Sequence, residues 1–194
     1  MGSLTVIFGP MFSGKTALLI DFIRNAKGFV HVISKCVRDN NRSEVVSLNI
    51  ETRQGDSVNS LKYELLSEFY MSQAWGYETW KNIFIDEGQF FPDVTDFCDR
   101  MANRGANVYV TVLNRNFCGG MFPNVMQLLA RADRIIQKVA HCDFCDPNRE
   151  REANAPFTVR VAPLPQDGYV EKEKTHYKAA CRQCYQRENR FLSE

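Results

Sequence analysis

The sequence has no excess of charge of either sign. Its 24 lysines and arginines nearly cancel its 23 aspartates and glutamates, which leaves a formal net charge of +1 at pH 7. This balance excludes a whole-protein field that could hold a nucleic-acid backbone or an anionic membrane surface. A partner of that kind would need a local basic patch.

Long hydrophobic runs are also missing. No apolar stretch approaches the roughly 20 residues that span a bilayer, and the N-terminus lacks a basic segment followed by a hydrophobic stretch and a small-residue cleavage site. We therefore expect a cytoplasmic protein. At 194 residues and 44% hydrophobic content, the chain can still bury a real core.

Four of the seven cysteines form two C-x-x-C pairs, Cys142 with Cys145 and Cys181 with Cys184. In a reducing compartment this pattern indicates a metal site and not disulfides, although a redox pair is the alternative. Four thiolates fill the tetrahedral coordination of Zn²⁺ and leave no place for an activated water. The sequence therefore predicts a structural zinc.

Strand and helix patterns alternate along the first part of the chain. Apolar strands are predicted at residues 4–8, 29–33, 82–86, 107–113 and 134–140. Helical periodicity is found at residues 15–26, 61–75, 93–103 and 123–131, and residues 45–52 alternate weakly. This order predicts an α/β fold with a parallel sheet flanked by helices in three layers.

The composition changes after His141, where cysteine pairs and prolines replace the long apolar runs. We therefore expect two domains. Residues 1–140 would form a phosphate-loop nucleotide-binding α/β domain, and residues 141–194 would form a small zinc-binding lobe.

Residues 9–16 read GPMFSGKT and fit the phosphate-binding pattern G-x-x-x-x-G-K-[ST] between a predicted strand and a predicted helix. The glycines let successive backbone N–H groups and the helix N-terminus face phosphates. Lys15 should bridge the β and γ phosphates, and Thr16 should offer its hydroxyl to Mg²⁺. We expect ATP to be bound by Gly9, Pro10, Met11, Phe12, Ser13, Gly14, Lys15 and Thr16. The alternative is a glycine turn that merely starts a helix.

Two acids, Asp86 and Glu87, end the predicted strand at residues 82–86. Ligands of open α/β sheets bind at this carboxyl edge. Asp86 is expected to hold magnesium directly or through water, and Glu87 is the candidate base for an acceptor hydroxyl. In an ATPase Glu87 would orient water, and as a solvated strand end it would do neither.

Three segments together resemble one family, the zinc-containing type II thymidine kinases of cells and viruses. They are residues 9–16, residues 86–92 (DEGQFFP), and the cysteine pairs with the sequence CRQCY at residues 181–185. The resemblance implies that Glu87 is the catalytic base toward the 5′-hydroxyl of thymidine, and Gln89 is a further candidate for binding the phosphates of ATP. The resemblance further implies base contacts from Met11, Phe90, Leu113, Phe117, Thr158 and Tyr177, a lasso-like loop that closes over the base, and a homo-oligomer, commonly a tetramer.

Some positions depart from the family pattern. Leu113-Asn114-Arg115 stands where a Leu-Asp-Gly context is usual, and no glycine pair precedes the closing loop. Asp39 and Arg42 resemble a family Asp-x-Arg that helps with phosphate or magnesium, with one residue more between them. These two residues are carried as phosphate-site candidates.

The sequence thus predicts Mg-ATP-dependent phosphorylation of thymidine to its monophosphate. A kinase for deoxyuridine or a modified pyrimidine nucleoside stays open. A rival of another class is an ATPase whose zinc lobe binds nucleic acid, since that lobe carries several arginines. Glutamates are interspersed among those arginines, which disfavours a continuous basic face, so no stable nucleic-acid partner and no membrane partner are expected.

Overall fold

The structure is a computed structural model that describes residues 1–35, 49–51, 55–72, 81–145, 154–162 and 176–189. The chain divides into two units. The first unit consists of Met1–Phe8, Lys15–Val112 and Phe122–Gln137. The second unit consists of Gly9–Gly14, Leu113–Met121 and Lys138–Glu194. The second unit therefore includes two short segments from the first 140 residues.

Eight strands precede residue 138 in the described chain. They are β1 (Ser3–Gly9), β2 (Val30–Lys35), β3 (Asn49–Glu51), β4 (Ser57–Asn59), β5 (Leu61–Tyr63), β6 (Asn82–Asp86), β7 (Asn107–Leu113) and β8 (Arg134–Gln137). Six of them form a sheet in the order β5-β2-β6-β7-β1-β8, and β3 pairs antiparallel with β4. Strand β2 pairs in parallel with β5 and β6, β6 with β7, and β1 with β8. The predicted mostly parallel α/β sheet is confirmed.

Helices cover both faces of this sheet in the first unit. They are α1 (Lys15–Asn25), α2 (Leu66–Ser72), α3 (Val94–Asn103) and α4 (Pro123–Ala130). Because side chains alternate along a strand, Phe84 packs in one apolar cluster with Leu19 of α1, whereas Ile83 and Ile85 pack in another with residues of α2, α3 and α4. The result is the predicted three-layer arrangement.

The amphipathic helix predicted at residues 61–75 is wrong at its start. Residues Leu61–Tyr63 form the edge strand β5, and the helix begins at Leu66. The Asp93 carboxylate accepts hydrogen bonds from the Leu66 and Ser67 N–H groups, at 3.1 and 2.8 Å, and this tertiary cap fixes the helix start. A cap 26 residues away in sequence leaves no local signal in the residues that it caps.

Four strands and one helix form the described part of the second unit after residue 138. They are β9 (Ala140–His141), β10 (Asn154–Ala155), β11 (Phe157–Arg160), β12 (Tyr177–Ala180) and α5 (Arg182–Asn189). Strand β9 pairs antiparallel with β10, and β11 with β12. The strand predicted at residues 134–140 is therefore divided between β8 and β9.

The β11–β12 ribbon has two chemically different faces. On one face Phe157, Val159 and Ala180 pack with Cys184 and the other paired cysteines. Strand alternation and the antiparallel register place Thr158, Arg160 and Tyr177 on the opposite face. The ribbon thus joins the cysteine cluster to a buried polar face that carries two predicted base contacts. No helix in the described ranges has the length and apolar content needed to cross a membrane.

Candidate active site and metal centre

Lys15 opens helix α1 and is almost completely buried, with 6% of the side chain exposed. Burial lowers the pKa of Lys15, while the charges of Glu87 and Asp86 act in the opposite direction. A buried lysine beside two carboxylates is typical of a functional site. The alternative for this motif, a glycine turn that merely starts a helix, would leave the lysine solvated, and Lys15 is not solvated.

Asp86 ends strand β6, and two hydroxyl groups donate to its carboxylate. The Thr111 Oγ1 lies 2.6 Å from one carboxylate oxygen, and the Thr16 Oγ1 lies 3.3 and 3.4 Å from the two oxygens. Burial raises the pKa of Asp86 to about 6, and the charge of Glu87 adds to this rise, whereas Thr111 and Lys15 oppose it. A carboxylate beside a hydroxyl supplies the oxygen ligands that Mg²⁺ prefers, so these side chains fit that ion.

Glu87 has a left-handed backbone, with φ 56° and ψ 44°. Its N–H group donates to the Thr111 Oγ1 at 3.0 Å, so one threonine hydroxyl links the backbone of Glu87 to the carboxylate of Asp86. The side-chain amide of Gln89 donates to the Glu87 carboxylate. A Cβ atom on Gly88 would come within 2.5 Å of Val110 Cγ2, so a larger residue here would force the buried side chains of β7 to shift.

Phe90 ends the short 3-10 helix Gly88–Phe90 with 38% of its side chain exposed. Its ring meets the Phe122 ring edge-on, with 6.4 Å between centroids. The Asn124 side-chain amide donates to the carbonyl oxygens of Gln89 and Phe91, both at 3.0 Å, and so fixes this turn. An aromatic ring of this exposure is available to a planar ligand.

Residues 9–14 of the phosphate-loop motif belong to the second unit. Phe12 and Gly14 both have positive φ angles, of 65° and 76°. The Ser13 hydroxyl donates to the Pro10 carbonyl oxygen at 2.9 Å. A Cβ atom on Gly9 would lie 2.4 Å from the Lys138 carbonyl oxygen, so the loop requires glycine there. This curled backbone is the form that a phosphate-binding loop takes.

Thr158, on strand β11, supports this loop. Its Oγ1 accepts a hydrogen bond from the Met11 N–H at 3.0 Å, and only 3% of the side chain is exposed. Phe12 packs against the small side chains of Ala140, Ala155 and Ala179. The residue predicted to contact the base therefore also holds the phosphate loop.

The segment that follows Leu113 is tied to both of these parts of the second unit. The Asn114 N–H donates to the Gly9 carbonyl oxygen at 3.2 Å, and the Asn114 side-chain amide donates to the Pro156 carbonyl oxygen at 2.9 Å. A carboxylate at position 114 could not donate to Pro156, so the departure from the usual aspartate has a structural consequence. Further along the segment, the Phe117 and Tyr177 rings lie 6.2 Å apart.

The sulfur atoms of Cys142, Cys145, Cys181 and Cys184 all lie within 4.8 Å of one another. Cys145 Sγ is 3.8 Å from both Cys181 Sγ and Cys184 Sγ. A tetrahedral zinc with bonds of about 2.3 Å needs neighbouring sulfurs roughly 3.8 Å apart, whereas a disulfide needs about 2.05 Å. The cluster therefore fits zinc, and all six cysteines that the structure describes are free of disulfides.

Backbone groups support the cysteine cluster. Burial raises the pKa of the Cys142 thiol, but hydrogen bonds from the backbone of Cys181, Phe144 and Cys145 outweigh this and lower it to about 7. The Cys181 N–H lies 3.2 Å from Cys142 Sγ. Asp143 exchanges two hydrogen bonds with the backbone of Ala179, at 2.6 and 2.9 Å, and so joins the first cysteine pair to β12. The backbone hydrogen bonds to Cys142 favour its thiolate form, which is the form that binds metal.

Comparison with known proteins assigns this arrangement to a family. A sequence profile described as Thymidine kinase matches residues 2–185, which is nearly the whole chain. This chain belongs to the thymidine kinase family. The match includes both cysteine pairs and every candidate site residue named above.

Individual thymidine kinases from viruses and cells are similar over the same extent. The thymidine kinase of Yaba monkey tumor virus (strain VR587) is 32% identical over 184 residues, which cover 95% of this chain and 94% of the relative. Thymidine kinase 1 of Dictyostelium discoideum is 31% identical, with 95% and 78% covered. The cytosolic thymidine kinase of Gallus gallus is 31% identical, with 95% and 77% covered. The family predicted from the sequence motifs is confirmed.

Thr111 and Asn124 support the candidate site, and the sequence reasoning missed both. Both act through hydrogen bonds to backbone or carboxylate groups of the thymidine kinase motif at residues 86–92. The one signal for Thr111 was a threonine inside the mainly apolar run at the end of strand β7. Asp39 and Arg42 lie outside the described residues, so their role stays a prediction.

Proposed function

We propose that this thymidine kinase family member transfers the γ-phosphate of ATP to the 5′-hydroxyl of thymidine and so serves deoxynucleoside salvage for DNA synthesis. The observation that carries the proposal is the group of Lys15, Thr16, Asp86 and Glu87 in the first unit. It combines a buried cation, a carboxylate–hydroxyl pair and a second carboxylate that a glutamine holds in place. Phosphoryl transfer needs mainly positioning and charge stabilisation, which such a set supplies.

Each residue of this group has a separate role in the proposed phosphoryl transfer. Lys15 provides positive charge to the phosphoryl group that moves, and Asp86 with Thr16 would hold Mg²⁺. When bound, that ion would neutralise charge on the phosphate oxygens. Glu87 orients the 5′-hydroxyl and accepts its proton as the new oxygen–phosphorus bond forms and the bond to the β-phosphate oxygen breaks. Gln89 holds the Glu87 carboxylate through the side-chain hydrogen bond.

The nucleoside contacts remain part of the proposal. In the second unit they are Met11, Leu113, Phe117, Thr158 and Tyr177, and in the first unit Phe90. Zinc in the four-cysteine site would be structural, since all of its coordination places are filled by thiolates. By family resemblance we also propose a homo-oligomer, commonly a tetramer. The cytosolic thymidine kinase of Gallus gallus supports a cytoplasmic location.

A transfer assay tests the function. The purified protein is incubated with γ-labelled ATP and a panel of nucleosides that includes thymidine, deoxyuridine and deoxycytidine, and the products are separated by thin-layer chromatography. We expect labelled thymidine monophosphate as the main product. Label in deoxyuridine alone would establish the other pyrimidine substrate, and labelled inorganic phosphate without any nucleotide product would establish an ATPase.

Glu87→Gln tests the proposed base in the same assay. Glutamine keeps the shape and one acceptor oxygen but loses basicity, so kcat should fall by roughly 10²- to 10⁴-fold, the usual range for a positioned base. Thymidine and ATP should still bind in calorimetry. Glu68→Gln, at an exposed glutamate of α2, is the matched control and should keep wild-type turnover. Near wild-type transfer by Glu87→Gln would show that the base is assigned wrongly.

A further inference from the structure

Arg160 is a buried arginine that the proposed reaction does not use. It is the last residue of β11, and 4% of the side chain is exposed. Removing a guanidinium group from water is costly unless the protein gives it partners. Arg160 pairs with Tyr177 in the antiparallel register of β11 and β12, so the two side chains stand next to each other on one face of the ribbon.

The contacts of Arg160 converge on two aromatic rings of the second unit. Its Nη1 donates to the Tyr177 hydroxyl oxygen at 2.8 Å, and its Nε donates to the Ala162 carbonyl oxygen at 3.2 Å. The guanidinium carbon lies 5.4 Å from the centroid of the Tyr177 ring and 5.9 Å from that of Phe117. Cations at this distance from an aromatic face are attracted to it. One planar group therefore contacts both rings and the strand backbone.

The guanidinium group of Arg160 determines the direction of its hydrogen bond with the Tyr177 hydroxyl. Arginine has only donors, so the Tyr177 oxygen must accept in this hydrogen bond and its own hydrogen points elsewhere. Within the described ranges, Arg160 is the residue that hydrogen-bonds the Tyr177 hydroxyl. A buried hydroxyl held in this way is prepared to donate to an acceptor atom of a ligand.

We propose that Arg160 is a positioning residue of the nucleoside site, which fixes the Tyr177 ring against Phe117 and orients the Tyr177 hydroxyl as a donor toward the nucleoside. The proposal rests on the proposed function, in which Tyr177 and Phe117 contact thymidine. Arg160 itself does not contact the substrate. Its effect is on nucleoside affinity, and the phosphate chemistry of Lys15 and Glu87 does not depend on it.

A double-mutant cycle with Arg160→Met, Tyr177→Phe and the combined variant tests this. Loss of a hydrogen bond to a charged group corresponds to roughly 10- to 100-fold, so Arg160→Met should raise the KM for thymidine by that factor. The kcat and the KM for ATP should change by less than about threefold. Tyr177→Phe should raise the thymidine KM by at least about fivefold. In the Tyr177→Phe background, Arg160→Met should add much less than it does alone, because coupled residues are not additive.

Two further variants complete the experiment. Arg160→Lys keeps a charged donor but cannot reach the phenol and the Ala162 carbonyl together, so its thymidine KM should lie between those of the wild type and Arg160→Met. Arg24→Met removes an exposed arginine of α1 and should leave all three constants unchanged. Zinc content and melting temperature are measured for each variant, and if Arg160→Met loses its zinc, Arg160→Lys takes its place in the cycle.

The outcomes separate this proposal from the function on which it rests. If the wild-type protein does not phosphorylate thymidine, the proposed function fails first. If it does, an unchanged thymidine KM in Tyr177→Phe or in Arg160→Met overturns the positioning role. Strictly additive effects in the cycle also overturn it, since Arg160 would then act independently of Tyr177.

Discussion

The two units differ in the interactions that hold their candidate site residues in place. Among the twelve largest fully buried side chains that the structure describes, eleven lie in the first unit, and Phe157 alone lies in the second. Each such side chain contributes about 1.5–3 kcal/mol when it is buried. The first unit can therefore hold charged groups in place with apolar layers, whereas the second depends on four thiolates and a few hydrogen bonds. The charged groups of the proposed phosphate chemistry therefore lie in the unit with the larger apolar core. Residues 9–14 of the phosphate loop and most of the predicted base contacts lie in the unit that carries the cysteine cluster.

The sharpest test of the first unit is Lys15→Ala. Removal of a charge that stabilises the moving phosphoryl group should lower kcat by about 10³-fold or more. The melting temperature should not fall, because burial lowers the pKa of Lys15 and so marks its charge as unfavourable for folding. Steady-state kinetics and thermal unfolding measure the two effects, with the exposed Lys27→Ala as control. Normal turnover would mean that the loop is not the catalytic phosphate site.

The second unit should lose its proposed function when its zinc is removed. We expect about one zinc per chain, and Cys181→Ser should weaken zinc binding by more than about 100-fold, since even residues behind the ligands contribute roughly 10- to 100-fold. Thymidine binding should be lost, while the helix signal in circular dichroism should largely persist because α1 to α4 belong to the first unit. Cys118→Ser, at an exposed cysteine, should keep its zinc.

Metal analysis of reduced, unchelated protein checks the zinc expectation directly. A wild-type chain without zinc would contradict it. Complete unfolding of Cys181→Ser, with loss of the whole helix signal, would show instead that the two units are not independent in stability.

The smallest expected effect concerns the hydrogen bond between Thr158 and Met11. Thr158→Val keeps the shape but leaves the Met11 N–H without its acceptor, so we expect the KM values for thymidine and ATP both to rise by about 3- to 10-fold. Thr158→Ser keeps the hydroxyl and should restore the ATP value. A change in the thymidine KM alone would indicate that Thr158 contacts the base without supporting the phosphate loop.

The sequence indicated those parts of the candidate site whose residues are adjacent along the chain. The loop at residues 9–16 and the acids at 86 and 87 each combine a motif with a predicted strand or helix, and the C-x-x-C pairs are identified by their spacing. The strands at 82–86 and 107–113 are observed with the predicted bounds. Apolar residues in unbroken runs leave few alternatives for a strand buried on both faces.

The sequence was insufficient where partners are distant along the chain. Asp93 caps a helix 26 residues before it, Thr111 links the two acids at the end of β6, and Arg160 donates across the ribbon to Tyr177. Such pairs depend on the register and order of strands, which periodicity within one segment does not contain. The start of α2 was misassigned for the same reason.

The left-handed backbone of Glu87 sets stability against turnover at a single residue. A side chain in that conformation costs roughly 1–3 kcal/mol and persists because the surrounding structure enforces it. Glycine would adopt the same angles without this penalty, but it would remove the carboxylate. Selection for heat resistance alone would therefore favour glycine at position 87 and an inactive protein. Engineering of this fold for higher stability has to keep Glu87 unchanged.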